Sequence, residues 1–376
     1  MRLESPNDGL KVYIDDRLVG RLAQASNGLV AFQYSDEWQR GEFSINPYSL
    51  PLSNEVFLPT YDPFDGLFGV FHDSLPDGWG ALLLDRMLLR EGIDPTTVTP
   101  LTRLAIVGSS GKGALRYEPE AGFARSKTTT DLDVLASWCQ DILDDHPIDD
   151  LDAVYAAGGS SGGTRPKAYV EDEQGSWIVK FPSSLDPEGI GKLEYDYALC
   201  ARECGIHVSE VRLMPSKRCE GYFATRRFDV SPHGTRRHMV SASGIVEVSH
   251  RIPALDYESL FQISYLLTGG RDEAEQLYRL MCFNVFAHNC DDHSNNFSWL
   301  CDEGTWRLSP AYDLTYSKGM GGEHATSILG NGCPQMDDVL ALAKEVGLSA
   351  RKARTIACDI QARCHELLIA HELPVS

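Results

Sequence analysis

No stretch of this 376-residue chain is apolar for long enough to cross a bilayer as a helix, which takes about 20 predominantly apolar residues. The opening residues, Met1-Arg-Leu-Glu-Ser-Pro, lack the apolar core of a secretory signal. There is no Cys-x-x-Cys; the ten cysteines follow no regular framework, and the closest pair, Cys200 and Cys204, would lie one helical turn apart. Scattered cysteines without a leader predict reduced thiols, a cytoplasmic location and no membrane partner. Positive charge is also scarce: 34 Lys and Arg against 54 Asp and Glu leave a net charge of −20. That argues against a broad nucleic-acid footprint made by this chain alone, although a basic partner could bring it to DNA. The 43% hydrophobic content is that of an ordinary globular protein, and the length suffices for two or three domains with cores of their own.

Three short strands are expected first. Leu10-Lys-Val-Tyr-Ile14 alternates, Asp15-Asp16 turns, and Leu18–Leu22 and Ala31–Tyr34 follow. Trp79–Leu89 reads as a helix with apolar Leu82, Leu83, Leu84, Met87 and Leu88. Gly108-Ser-Ser-Gly-Lys-Gly113 suggests a phosphate loop but lacks the Gly-Lys-Ser/Thr ending, because Gly113 follows Lys112; it reads as a tight turn before the strand Ala114–Tyr117. Residues 119–130 are small and polar and read as a linker. Asp131–Leu143 is an amphipathic helix, and Asp144, Asp145, Asp149 and Asp150 after it read as a solvated acidic face. Further on, Leu193–Cys204, Leu255–Leu267, Asp272–His288, Met336–Val346 and Ala350–His371 are expected helices. Val208–Met214 and Tyr222–Phe228 form a strand pair, and Trp306–Leu308 is a short strand.

Two segments carry chemistry. Gly158-Gly-Ser-Ser-Gly-Gly-Thr-Arg-Pro-Lys167 lies between an acidic run and the strands Ala168–Val170 and Trp177–Phe181, and a loop of this kind lets main-chain N–H groups approach phosphate oxygens. Lys180, flanked by Val179 and Phe181, stands where a kinase keeps its phosphate-contacting lysine, and Glu194 could pair with it. The second segment is Ala287-His-Asn-Cys-Asp-Asp-His-Ser-Asn-Asn296, set between apolar Phe283, Val285 and Phe286 and apolar Phe297, Trp299 and Leu300. Buried Asp and Asn need partners, which a divalent metal, a phosphate-bearing ligand or a dense hydrogen-bond network would supply. Asp291 and Asn296 have the Asp-x-x-x-x-Asn spacing of a kinase catalytic loop, and Asp313 could be a second metal carboxylate.

With these motifs in this order, the chain resembles HipA-like serine/threonine kinases, the toxin components of bacterial toxin–antitoxin pairs. The resemblance runs through Phe71-His-Asp-Ser-Leu-Pro-Asp77, Gly159–Lys167, Val179-Lys-Phe-Pro182, Glu194-Tyr195, Arg227-Phe-Asp229, Asn289–Ser298 and Leu308-Ser-Pro-Ala-Tyr-Asp-Leu314. It implies an α+β, protein-kinase-like bilobal fold with an extra N-terminal α/β subdomain (1–125), a kinase N-lobe-like domain (126–232) and an all-α C-terminal lobe (233–376). It implies Asp291 as catalytic base and Asn296 and Asp313 as Mg2+ ligands. ATP would contact Gly162, Gly163, Thr164, Arg165, Lys167 and Lys180, an adenine hinge at Arg226, Arg227 and Phe228, and the pocket residues His293 and Tyr312. Ser160, or its neighbour Ser161, would be autophosphorylated. The implied partners are a helix-turn-helix antitoxin of the HipB type, operator DNA only through it, and a protein substrate, with aminoacyl-tRNA synthetases among the substrates of the family.

Three positions depart from the family pattern: Asn295 stands where Lys is usual before the magnesium-binding Asn, Arg226 where Glu is common, and Cys290 where Thr is common. Two other readings stand beside the kinase. One is a metal-dependent hydrolase built on His288, Asp291, Asp292, His293 and Asp313. The other is a non-catalytic module acting through an antitoxin–DNA complex, a possibility that Asn295 keeps open.

Overall fold

The computed structural model describes residues 9–123, 131–148, 150–231 and 233–368. The chain is mixed α/β and divides into two compact units, one of Met1–Gly191 with Arg212–Val240 and the other of Lys192–Val211 with Ser241–Ser376.

The first unit contains two four-stranded sheets. In the first, β1 (Leu10–Ile14), β2 (Arg17–Gln24), β3 (Val30–Tyr34) and β4 (Leu115–Glu118) lie in the order β3-β2-β1-β4, with antiparallel pairings throughout. Their period-two pattern buries Leu10, Val12, Ile14, Val30, Phe32 and Tyr34 on one side. Helices α1 (Trp79–Arg90) and α2 (Pro100–Val107) sit in sequence between β3 and β4. Thr99 caps α2 by accepting from the Thr102 N–H, and Pro100 occupies the first turn, where no N–H is needed.

The second sheet follows α3 (Leu132–Leu143) and α4 (Leu151–Gly158). It is formed by β5 (Lys167–Asp172), β6 (Gly175–Lys180), β7 (Val211–Met214) and β8 (Tyr222–Arg226) in the order β5-β6-β8-β7. Trp79 and Leu83 of α1, Leu135, Cys139 and Ile142 of α3, and Val154 and Ala157 of α4 form one core with Trp177, Val179, Tyr222 and Ala224 of this sheet. Burial of this apolar surface stabilises the unit, at about 25 cal/mol per Å² removed from water.

The second unit is mainly helical: α5 (Ile190–Glu203, whose first two residues belong to the first unit), α6 (Tyr257–Thr268), α7 (Arg271–Phe286), α8 (Met336–Glu345) and α9 (Ala350–Leu368). Gly269, at φ +61°, ends α6 in the left-handed conformation that glycine adopts without penalty. α9 packs on α7 and α8 and buries Ala353, Ile356, Ala357, Ile360, Cys364 and Leu368, a stripe of helical period.

Two expectations are corrected. Residues 233–376 are not all helical: β9 (Ser298–Asp302) and β10 (Thr305–Leu308) form an antiparallel hairpin, and Leu255–Asp256 pairs in parallel with Thr326–Ser327. The hairpin turns through Glu303 and Gly304, both at positive φ. Four of the five β9 residues are buried, so the strand shows no alternation in the sequence. The acidic run is a solvated face only in part: Asp144 and Asp145 are exposed as expected, but Asp150 has a structural role. Asp150 caps the unexpected helix α4, accepting from the Ala153 N–H at 2.9 Å, and Asp145 pairs with Arg86 at 2.9 Å. Most of the proposed linker (124–130), Asp149, the opening residues and the expected last turn of α9 (369–371) lie outside the described residues. Among the described residues, no helix is long and apolar enough to cross a membrane.

Candidate active site

In the first unit, α4 delivers the chain into the glycine-rich segment. Ser161 turns back on Gly158, whose carbonyl accepts from the Ser161 N–H at 3.0 Å and from its hydroxyl at 2.6 Å. The segment leans on the start of α1: Asp77 N–H donates to the Ser161 carbonyl (3.3 Å) and Trp79 N–H to that of Gly163 (2.9 Å). Glycine is required for this approach. A Cβ on Gly80 would lie 2.2 Å from the Ser161 carbonyl oxygen; one on Gly78, at φ +47°, would lie 2.5 Å from that of Gly163.

Two lysines converge on the tip of this segment. Lys167 Nζ donates to the Gly162 carbonyl at 2.5 Å, and Lys112 Nζ lies 2.9 Å from where a Gly162 Cβ would be. Lys112 was not among the residues expected from the sequence; its glycine run reads as a turn there, and a turn is what the structure contains, with the lysine projecting from it. Gly163 and Thr164 are exposed, Ser161 is buried, and Ser160 is half-buried with its hydroxyl bonded to Tyr169. Arg165 is held by Asp186 through two hydrogen bonds, at 2.9 and 3.1 Å.

Lys180 ends β6 directly opposite Lys167 in the antiparallel register, its Nζ 5.5 Å from the Phe223 ring centroid. At the expected hinge, Arg226 ends β8 beside Gly175, and the Phe228 carbonyl accepts from Arg237 at 3.4 Å. Arg227 is scaffold. Its N–H donates to the Ser176 carbonyl, and its guanidinium pairs with Asp229 at 2.7 Å and stacks over Tyr169. Burial would raise the Asp229 carboxyl, but the Arg227 charge and hydrogen bonds, with the Gly113 N–H, hold it below the usual range.

In the second unit, α7 ends at Phe286, and the polar loop follows with His288 at φ +51°. The two adjacent carboxylates have opposite environments. The Asp291 side chain is 64% exposed, whereas that of Asp292 is 0% exposed. Asp292 accepts from Tyr257 Oη at 2.8 Å and from the Thr326 N–H at 3.2 Å, and lies 3.0 Å from His324 Nδ1. Its carbonyl accepts from the Thr326 hydroxyl at 2.5 Å. Behind it, Asn284 donates to Tyr257 Oη and Asn289 donates to Asn284. Burial would lower the His324 pKa, but its bonds to Asp292 and Cys290 raise it to about 9. Burial would raise Cys290, but hydrogen bonds from His288 and His324 bring the thiol down to about 7.

Asn296 Nδ2 donates to the Asp291 carbonyl at 2.7 Å, which fixes the loop between the two residues and leaves Asn296 Oδ1 as an acceptor. His293 Nε2 lies 4.0 Å from Asp291 Oδ1. Tyr312 Oη donates to the Asn295 carbonyl at 2.5 Å and is bonded to Ser298, and the Ser241 hydroxyl reaches Asn295 Oδ1 at 3.4 Å. Asn295 and Tyr312 therefore brace this loop. Asp313, half-buried, sits at φ +53° between Tyr312 and buried Leu314. Of the donors of the hydrolase reading only Asp291 and His293 come together: Asp292 is saturated by protein partners, and among the described residues the one group of three His, Cys, Asp or Glu close enough for a metal ion is a set of three cysteines elsewhere. Sequence reasoning noted His324 in a glycine-rich loop (319–335) but gave it no role, and it missed Tyr257 and Thr326; the roles of all three depend on contacts across 32–35 residues of chain.

Residues 159–368, more than half the chain, match the family model of the HipA-like C-terminal domain, and residues 10–118 match that of the HipA N-terminal domain. The chain belongs to the HipA family. Its fold is also that of a chain in the HipA–HipB toxin–antitoxin complex with operator DNA from Shewanella oneidensis MR-1. The TM-score is 0.70 at 19% identity, covering 98% of this HipA-family chain and 92% of that one. A partial likeness, with a TM-score of 0.39 and 13% identity, links it to the proinflammatory kinase CtkA of Helicobacter pylori, over 57% of this chain and 90% of that one.

Proposed function

We propose that this HipA-family chain is a serine/threonine protein kinase that transfers the γ-phosphoryl group of Mg-ATP to a protein, as the toxin of a pair with a HipB-type antitoxin. The observation that carries the reading is the split between Asp291 and Asp292. One carboxylate is buried and spent on holding the loop, which leaves its neighbour facing solvent at a fixed place. A kinase needs that division, because its catalytic Asp must reach an acceptor hydroxyl while the loop around it stays rigid.

The residues fit the cofactor. Asn296 Oδ1 and the Asp313 carboxylate are hard oxygen donors, suited to Mg2+. In the same loop His293 Nδ1 and Ser294 Oγ are buried with no hydrogen-bond partner among the described residues, as expected of atoms a ligand would satisfy. Gly162, Gly163 and Thr164 would offer main-chain groups to phosphate oxygens. Lys167, with Lys112, brings positive charge to that tip, and Lys180 would add its own. Arg226 and Phe228 would border the adenine, and Arg227 would support them through Asp229. Bound Mg-ATP would supply the phosphoryl group and the metal charge that offsets it. Asp291 would orient the acceptor hydroxyl and take its proton, and Asn296 would hold Asp291 in line through the carbonyl contact.

In this reading the first unit comprises an N-terminal subdomain and a nucleotide-binding portion, and the second carries the transfer loop. Operator DNA would be reached through the antitoxin, in keeping with the net charge of −20. The family resemblance makes an aminoacyl-tRNA synthetase the first substrate to try. Ser160 is the better autophosphorylation candidate, since Ser161 is 1% exposed and its hydroxyl is committed to Gly158.

The test is incubation of the purified chain with Mg2+ and γ-labelled ATP, followed by peptide mapping. One phosphate on Ser160, absent from Asp291→Asn, is expected. A chain of unmodified starting mass that incorporates none, with or without protein substrates, would refute the reading.

A further inference from the structure

The second unit contains a cluster that phosphotransfer does not use. Cys200 and Cys204 lie one turn apart at the C-terminal end of α5, and Cys364 comes from α9. Their three sulfurs lie within 4.8 Å of one another, and the residues are 1%, 1% and 0% exposed. Metal–sulfur bonds of about 2.3 Å, as in zinc thiolates, would place three sulfurs about 4 Å apart around one ion. The spacing therefore suits a shared metal as it stands. Burial and hydrogen bonding already distribute protons unequally: bonds from Cys204 and Cys364 lower the Cys200 thiol, while Cys204 and Cys364 are raised.

The donor set selects the metal. Three sulfurs and no oxygen are soft ligands, which favour copper(I) or zinc over magnesium or calcium. Structural zinc takes four protein ligands, and among the described residues no fourth His, Cys, Asp or Glu joins the group. A three-coordinate thiolate site suits copper(I). A disulfide would need a two-electron oxidant, would join only two of the three sulfurs, and could then only exchange partners with the third thiol, whereas one copper(I) ion engages all three without any redox step. Cationic groups stand close by: Arg279 Nη1 donates to the Cys204 carbonyl at 3.0 Å, and Arg363 precedes Cys364.

We propose that Cys200, Cys204 and Cys364 form a buried three-coordinate thiolate site for one copper(I) ion, which fastens α9 to α5. Binding breaks three S–H bonds and forms three Cu–S bonds, releasing three protons to solvent. Copper enters already as copper(I), so nothing is oxidised or reduced.

The test titrates the full chain anaerobically with copper(I) held by a chromophoric chelator. One ion per chain should be withdrawn, and affinity should fall at least a hundredfold in Cys364→Ser. A Cys333→Ser/Cys358→Ser double variant, which removes the exposed thiols, should retain uptake. Uptake that follows those two cysteines, or no uptake by the folded wild-type chain, overturns the proposal. Should Cys364→Ser fail to fold, X-ray absorption on the loaded wild-type chain decides. Three sulfur neighbours per copper support the site; two, or any nitrogen or oxygen neighbours, overturn it. Displacement of the bound copper(I) by equimolar Zn2+ also overturns the three-coordinate assignment.

Discussion

The glycine-rich segment of the first unit and the polar loop of the second are held by different means. The first rests on main-chain hydrogen bonds and on glycines that let two backbones touch, at Gly78 against Gly163 and Gly80 against Ser161. The second is held by side chains, with Asp292 at the centre of a buried network of Tyr257, His324, Thr326, Asn284 and Asn289. A main-chain scaffold leaves the tip of its segment open to a ligand and is sensitive to added volume. A side-chain scaffold fixes one exposed carboxylate and is sensitive to lost charge.

The largest effect should come from breaking the side-chain scaffold. Asp292→Ala leaves Tyr257, His324 and the Thr326 N–H buried without their acceptor, which should cost about 3–5 kcal/mol in denaturant unfolding. Asp291→Asn, one residue away and exposed, should stay within about 0.5 kcal/mol of wild type. Equal losses in the two variants would erase the distinction between them.

Next comes volume in the first unit. Gly80→Ala drives a Cβ into the Ser161 carbonyl and should destabilise by about 1–3 kcal/mol. Gly162→Ala meets only the flexible end of Lys112 and should change stability by less than about 0.5 kcal/mol. The ratio of the two, read from thermal melts, sharpens the comparison.

These contrasts also show what the sequence could reveal. The alternation in Leu10–Ile14 and the periodic leucines of α1 are local signals, and each identified its element; the Asp291–Asn296 spacing is a local signal too. Which of two adjacent aspartates is buried is not local, because Tyr257 and Thr326 lie 35 and 34 residues away. Helix α4 was hidden because an aspartate that caps a helix and one that is merely solvated look alike. β9 was hidden because burial on both faces removes the period-two signal. Cys200 and Cys204 were visible as a pair one turn apart, but Cys364 joins them only through helix packing.

A third contrast concerns pH, and again the two units differ. Buried His238 of the first unit, bonded to the Ile45 carbonyl at 2.7 Å, has its pKa pushed down to about 4 by burial. Its neutral form is favoured in the folded state. Stability should therefore be intact above the unfolded value near 6.5 and decline as pH falls from there toward 4. His238→Gln should flatten that limb of the unfolding profile. In the second unit, the raised His324 contributes stability below about 6.5 that is lost as pH rises through about 9. Cys290, lowered to about 7, contributes the opposite trend, fully present above the usual thiol range and lost as pH falls through about 7. The two oppose each other between about pH 7 and 9, so wild type should be nearly flat there. Cys290→Ser should uncover a decline with rising pH of at most about 1.4 kcal/mol per unit.

The most direct test of the central claim is the rate of ATP-dependent phosphate incorporation by an Asp291→Asn chain that melts with wild type. Loss of incorporation in that fully folded variant, beside an active wild-type chain, is the predicted result. Retention of the wild-type rate would contradict the account, because the exposed carboxylate would then have no part in the transfer.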